Sequence, residues 1–399
     1  MLALRLARGS HPLVQLRRLL VAAASAGTGF LLLCALGYAM GHAGSAGSVL
    51  RLAWCAAPLA ATVYFAVAVA RTDPGTRPRP GLAAIGLGPG RLMVISAMTT
   101  AVACTLGSMV ALLFFLHLRG DLTGLPFDGA AAELLAADRP LPLAAALTLL
   151  ALVPLTASVA GAVALRPRRA GTGAAEEPGA DPVPDADPTD LAPPAAAPGG
   201  LPWGVALFAA GLAAETYASS ADDGSGPRLP GGLAGSPVGA LAGWGLTALG
   251  LALAGPALTH LCGRILQAVR PGALRLLAGR VLQQEARRIG RPLGVVCAVA
   301  SGAYAARTLY ADAAGGGSGI GPLTTLGAVV VAGCALLTLA TAAVEARHAR
   351  ADTTAALLRL GAPAALLRGC AALRAGALLA VFGPVTWLVA ELSAMPLVR

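Results

Sequence analysis

Five histidines, seven cysteines and nineteen carboxylates are the groups in this 399-residue chain that could hold a metal or act on a substrate. A zinc site needs three or four such ligands brought together, often through short spacings such as CxxC or HExxH. His11, His42, His117, His260 and His348 are instead scattered near the ends of apolar runs. Cys34, Cys55, Cys104, Cys262, Cys297, Cys334 and Cys370 show no CxxC spacing, and most lie within apolar runs, where cysteine packs as a small hydrophobe. Asp121, Asp128, Asp222 and Asp223 read as solvated loop residues, and neither a Ser/His/Asp set nor a glycosidase-like pair of acids stands out. Phosphate chemistry fares no better. Gly86-Leu-Gly-Pro-Gly90 is rich in glycine and so is Gly315 to Gly321, but all 29 basic residues are arginine. Without a lysine no P-loop ammonium can reach a phosphate. The sequence predicts no catalytic site, no metal, no cofactor and no enzyme in its own right.

A second kind of chemistry, docking, is suggested by two segments that echo each other. Leu82-Ala-Ala-Ile85-Gly86-Leu-Gly-Pro-Gly-Arg91-Leu92 aligns with Leu357-Leu-Arg359-Leu360-Gly361-Ala-Pro-Ala-Ala-Leu-Leu367. Arg71 stands upstream of the first, and Arg347-His348-Ala-Arg350 upstream of the second. Leucine and alanine favour a short helix and the glycine can end it. Leu82, Ile85, Leu357, Leu360 and Leu367 could fill a groove on a partner. Arg91, Arg347, Arg350, Arg359 and Arg368 could pair with partner carboxylates or lipid phosphates. The plainer reading is that these arginines only mark one side of a membrane.

The elements that must position these segments are membrane spans. The chain is 56% hydrophobic and 12% charged, with a mean hydropathy of +0.73, against roughly 25% charged in a soluble domain. Apolar runs long enough to cross a bilayer are predicted at 19–41, 50–70, 92–118, 141–165, 201–219, 239–262, 292–310, 323–345 and 372–395. The fifth is the weakest, with Trp203 and Tyr217 near its ends. Arginines concentrate in alternate connections: Arg5 to Arg18, Arg71 to Arg91, Arg166 to Arg169, Arg264 to Arg291 and Arg347 to Arg368. The positive-inside rule makes those segments cytoplasmic and the N-terminus with them. The net charge of +10 therefore reads as topology and anionic lipid contact, not nucleic acid. Residues 166–200, rich in Pro, Ala, Asp and Glu, are predicted to be a disordered cytoplasmic linker. In 274–291 apolar residues recur at helical spacing with arginines opposite, which predicts an amphipathic helix on the inner surface, and 2–18 is a weaker version. The outer loops are short.

The two docking segments belong to a larger internal repeat: surface helix, span, outer turn, span, arginine-opened inner segment, span. This predicts an all-α integral membrane protein of about nine transmembrane helices, in two related halves with inner-face coupling helices and short outer loops. The divisions are a first half 1–165, the linker 166–200, an intervening pair of spans 201–262 and a second half 263–399. The doubled motif within this topology resembles the FtsX-like, MacB-type permeases of ABC transporters, where a charged run ending a span leads into a helix of the form Leu-Arg-x-Leu-Gly-Ala. The second copy, Leu358-Arg359-Leu360-Gly361-Ala362, matches better, and the first has Ala83-Ala84-Ile85-Gly86. The chain departs from MacB-like members in having no room for a large extracellular domain, and its second half has three spans where the family often has four.

The resemblance implies a multi-pass permease subunit of the cell membrane that binds no nucleotide itself. A separate cytosolic ABC ATPase would dock on inner helices 75–91 and 351–368, at Leu82, Ile85, Gly86, Arg91, Arg347, Arg350, Leu357, Arg359, Leu360, Gly361 and Arg368. ATP hydrolysis would drive export or extraction of a hydrophobic or peptide-like substrate, or signalling. Membrane lipids and a second permease copy or homologue would be its other partners. Two alternatives are a stand-alone ion-coupled transporter and a membrane scaffold that regulates an envelope enzyme. The first would usually leave ionisable groups at mid-membrane depth, whereas Glu215, Arg307, Glu345, Arg374 and Glu391 fall near span ends.

Overall fold

The computed structural model describes residues 12–42, 45–73, 89–122, 129–132, 135–166, 198–220, 237–268, 272–313 and 321–394. Residues 2–11, most of the first inner helix (with Leu82, Ile85 and Gly86), nearly all of linker 166–200 and the turn 315–320 lie outside them. In chain order the helices are α1 (Pro12–Gly41), α2 (Ala46–Trp54), α3 (Ala56–Thr72), α4 (Pro89–Arg119), α5 (Leu143–Leu165), α6 (Leu201–Ser220), α7 (Pro237–Ala268), α8 (Ala273–Ala313), α9 (Pro322–Ala349), α10 (Ala351–Arg359) and α11 (Ala364–Ala394). No strand occurs among the described residues. Eight helical segments there are long and apolar enough to cross a membrane, and their outward faces carry Leu106, Met109, Leu113, Phe114, Leu155 and Val159. So much exposed apolar surface is at home only in lipid. The chain is an all-α, multi-pass integral membrane protein.

The predicted span 201–219 is one helix, α6, of 20 residues, about 30 Å at 1.5 Å per residue and so equal to the hydrocarbon layer. It is not among the eight. The span predicted at 50–70 is one candidate crossing, Gly47–Thr72, with a single-residue interruption at Cys55 between α2 and α3. The cause is Pro58, which has no N–H to return to Trp54.

The predicted surface helix at 274–291 is not a separate element. It is the first part of α8, a single helix of 41 residues that continues through Pro292 into the span. Its apolar face does not lie on lipid. Ala278, Leu282 and Ala286 are fully buried, because α7 runs antiparallel against α8 over most of its length.

Backbone contact makes that pairing possible. A Cβ added to Gly263 would lie 2.7 Å from Gly279 O, and one added to Gly290 would lie 2.5 Å from Pro256 Cα. Gly255 and Gly294 are equally close to the opposite helix. The α6–α7 pair is built alike, where a Cβ on Gly250 would fall 2.6 Å from Phe208 N. Small residues that let backbones touch are the general means of helix association in lipid, where apolar side chains gain nothing from leaving the solvent.

The helices form two bodies. In one, α1 packs on α4, α5 and α3 around Val21, Leu32, Phe65, Cys104 and Val153. Ser25 donates to Cys104 O at 2.8 Å and Ser108 to Leu150 O at 3.2 Å. In the other, α8 packs on α7 and α11, and α6 on α7. The α9 helix joins them, packing on α3 and α1 as well as on α8, with Thr62 Oγ1 3.8 Å from Cys334 Sγ. In both bodies the first and third spans of the sequence repeat are neighbours, α1 with α4 and α8 with α11.

Gly290→Val should therefore destabilise the protein by at least the roughly 1–3 kcal/mol typical of overpacking, because backbone stands where the side chain must go. Gly376→Ala, which meets nothing within 4 Å, should be silent. Thermal unfolding of the two purified variants in detergent checks this; equal stability would show that α7 and α8 can part without cost.

Candidate coupling site at the arginine-rich end

Among the described residues, Arg350 and Arg374 converge on Glu285 at one end of the helix group. Arg347 and His348 occupy the last turn of α9, where positive charge complements the helix dipole. Arg350 is the joint between α9 and α10. Its carbonyl accepts from both the N–H and the hydroxyl of Thr354, at 2.8 and 2.7 Å. Its Nε lies 3.0 Å from Ala346 O and 2.8 Å from Oε1 of Glu285.

Glu285 is on α8 and buried. Its second oxygen lies 3.7 Å from Nη1 of Arg374, in the third turn of α11. One carboxylate thus ties together the base of α8, the end of α9 and the start of α11. The contact continues below it, where Cys370 Sγ is 3.5 Å from Leu274 O.

The α10 helix hangs from this junction. It is nine residues long, and it packs on α9 through a few residues at the joint. Its end has the hydrogen bonds of a Schellman motif: Ala362 N–H donates to Leu357 O at 3.0 Å and Gly361 N–H to Leu358 O at 3.1 Å. Gly361 adopts φ +87°, a conformation that suits glycine and strains other residues. Pro363 then precedes the first residue of α11, Ala364. Leu360 is 84% exposed, while Leu357 is half-buried.

The inner helix predicted at 351–368 is accordingly two elements. Residues 351–359 form α10, and residues 364–368, with Arg368, are the first turns of α11, because the glycine turn and Pro363 interrupt the helix. Arg347, Arg359 and Arg368 are exposed, as is Arg91 in the first turn of α4.

Around the base of α1 the same connection recurs with its charges exchanged. Arg18 Nη2 donates to Oδ2 of Asp73, the residue that ends α3, at 2.7 Å. Arg17 Nη1 donates to Thr72 Oγ1 at 3.2 Å. Ser96 and Thr100 of α4 line the hollow beside this pair, the place that Arg374 of α11 takes in the second body. Each body therefore closes its first span onto its second with an ion pair: basic on α1 and acidic after α3, acidic on α8 and basic after α9.

Sequence reasoning passed over Asp73 and Glu285. Glu285 left a signal, being the single acid among the arginines from Arg264 to Arg291. The seven cysteines are all buried with free thiols. No group of three metal-ligating side chains occurs among the described residues. The chain matches no protein-family model, no curated protein and no solved structure.

Arg350→Ala leaves Glu285 with the more distant Arg374 and the charge of Arg288 on its own helix. The expected loss lies between the ~1 kcal/mol of a surface pair and the roughly 3–5 kcal/mol of a fully buried one, read by thermal unfolding. Exchanging the charges in Arg18→Asp with Asp73→Arg should restore most of the stability that either change alone removes. Glu285→Arg with Arg350→Glu should restore it only in part, since Arg374 would then face a second guanidinium. Full rescue of both pairs would show that Arg374 takes no part.

Proposed function

We propose that this chain is the membrane-spanning permease subunit of an ABC transporter of the FtsX-like kind, driven by a separate cytosolic ATPase. The observation that carries this reading is α10. It is a short helix held out from the bundle, fixed at both ends to span helices and bearing the exposed Leu360. It coincides with the sequence motif that resembles the family's inner segment. A helix left free within a protein that otherwise packs backbone on backbone is suited to a partner's groove.

In this reading the arginine-rich end faces the cytoplasm of a cell membrane and the N-terminus lies there too. Leu357, Leu360 and the apolar residues of the first motif enter the ATPase, and the exposed arginines meet its carboxylates or nearby lipid phosphates. The ATPase binds and hydrolyses the nucleotide. The permease converts the resulting displacement of α10 into movement of α9 and α11, because the Gly361 turn and the Glu285 junction leave little slack between them. The cargo is a hydrophobic or peptide-like molecule exported or extracted from the membrane, or the movement itself is the signal.

The test is affinity purification of the tagged chain from its native membrane in gentle detergent, with co-eluting proteins identified and ATP hydrolysis measured. An ABC ATPase should accompany the wild-type chain and be lost when Leu357, Leu360 and Gly361 are changed to Asp, Asp and Val. If the wild-type chain brings down no ATPase and no nucleotide hydrolysis, the reading fails.

A further inference from the structure

At the other end of the bundle, Glu215 lies in the last turns of α6 and is 4% exposed. Thr247 of α7 donates its hydroxyl to Oε1 at 3.3 Å. Oε2 accepts no hydrogen bond among the described residues, and no arginine or histidine there forms an ion pair with this carboxylate. The space it fills is made for it. A Cβ on Gly243 would lie 2.5 Å from Glu215 Cγ, and one on Gly211 would lie 2.6 Å from Thr247 N, so two glycines keep open the room that the side chain and its partner need. The third wall is α11, which packs on α6 and carries the buried Ser393 beside the carboxylate.

A carboxylate withdrawn from water without a compensating charge is not stable and must be neutralised. The donors around Glu215 are all oxygen: a carboxylate and two hydroxyls. Hard oxygen ligands select small hard cations over soft transition metals. We propose that Glu215, Thr247 and Ser393 form a site for a small monovalent cation, sodium or a proton, at the junction of α6, α7 and α11. The site does not depend on the permease reading. It adds to it a link along α11, whose near end carries Arg374 and the Gly361 turn and whose far end supplies Ser393. An occupied site holds the far end of α11 against α6 and α7, and an empty one leaves a repelling carboxylate there.

Thermal unfolding of the purified full-length chain separates the two cations. One arm titrates sodium chloride against choline chloride at constant ionic strength and pH. The other varies pH without sodium. Wild type should gain about 3 °C or more in Tm with sodium, the scale on which a bound ligand stabilises a domain, or show a pH dependence that Glu215→Gln lacks. The charged neighbour on α11 is Glu391, which accepts from the Tyr304 hydroxyl at 3.3 Å; Glu391→Gln is the control and should respond as wild type does. If Glu215→Gln does not fold, Thr247→Val and Ser393→Ala should each raise the sodium concentration or proton activity for half the effect severalfold. If sodium and pH move the wild type and these variants alike, Glu215 binds no cation and the proposal is wrong.

Discussion

A helix satisfies most of its own backbone, as a span must where the hydrocarbon layer offers no water to do it. What remains to hold the helices together is the closeness of their approach, and closeness is set by side chains that are missing. The α7–α8 contact depends most on this. Gly255, Gly263, Gly279, Gly290 and Gly294 put main chain against main chain, and the second body is assembled around that seam. The first body uses the same device more sparingly, adding Ser25 and Ser108 hydroxyls that bond to carbonyls across the interface. With the seam in place, α8 can run unbroken for 41 residues, well beyond the membrane, and bring Glu285 to α9 and α11. The geometry at the arginine-rich end is thus inherited from glycines elsewhere in the helix pair.

The same economy explains why α10 stands out. Almost every other helix is clamped along its length, whereas α10 is fixed only at its ends, by Arg350 and by the Gly361 turn. A helix of nine residues cannot hold itself together in water without such supports. Its apolar Leu358 and Leu360 are exposed outside the span helices.

The all-α membrane class was legible in composition and run length, since the bilayer imposes a length that no short motif could disguise. Helix ends within the arginine-rich face were not. The Leu-Arg-Leu-Gly-Ala motif was visible as a string, but that its glycine divides 351–368 into two helices follows from the φ of Gly361 and the position of Pro363, not from periodicity. The 274–291 segment reads as an amphipathic surface helix, yet Ala278, Leu282 and Ala286 on its apolar face are covered by α7. Periodicity reports that a face is buried, not what buries it. The site residues Asp73 and Glu285 come from distant parts of the chain, and only the closing of one span onto another brings them to Arg18 and Arg350. Glycine content, by contrast, was plain in the sequence, but which glycines touch another backbone depended on the pairing of helices.

The exchange of charge between the two clasps has a consequence for how the chain assembles. The helices around α1 and those around α8 pack within one membrane, and a span from one group could pair with the wrong span from the other. Crossed pairing of the clasps would set Arg18 against Arg350 and Asp73 against Glu285, like against like in both cases. Native pairing sets opposite charges together twice. The reversal therefore penalises crossed pairing of the two clasps and favours the native one.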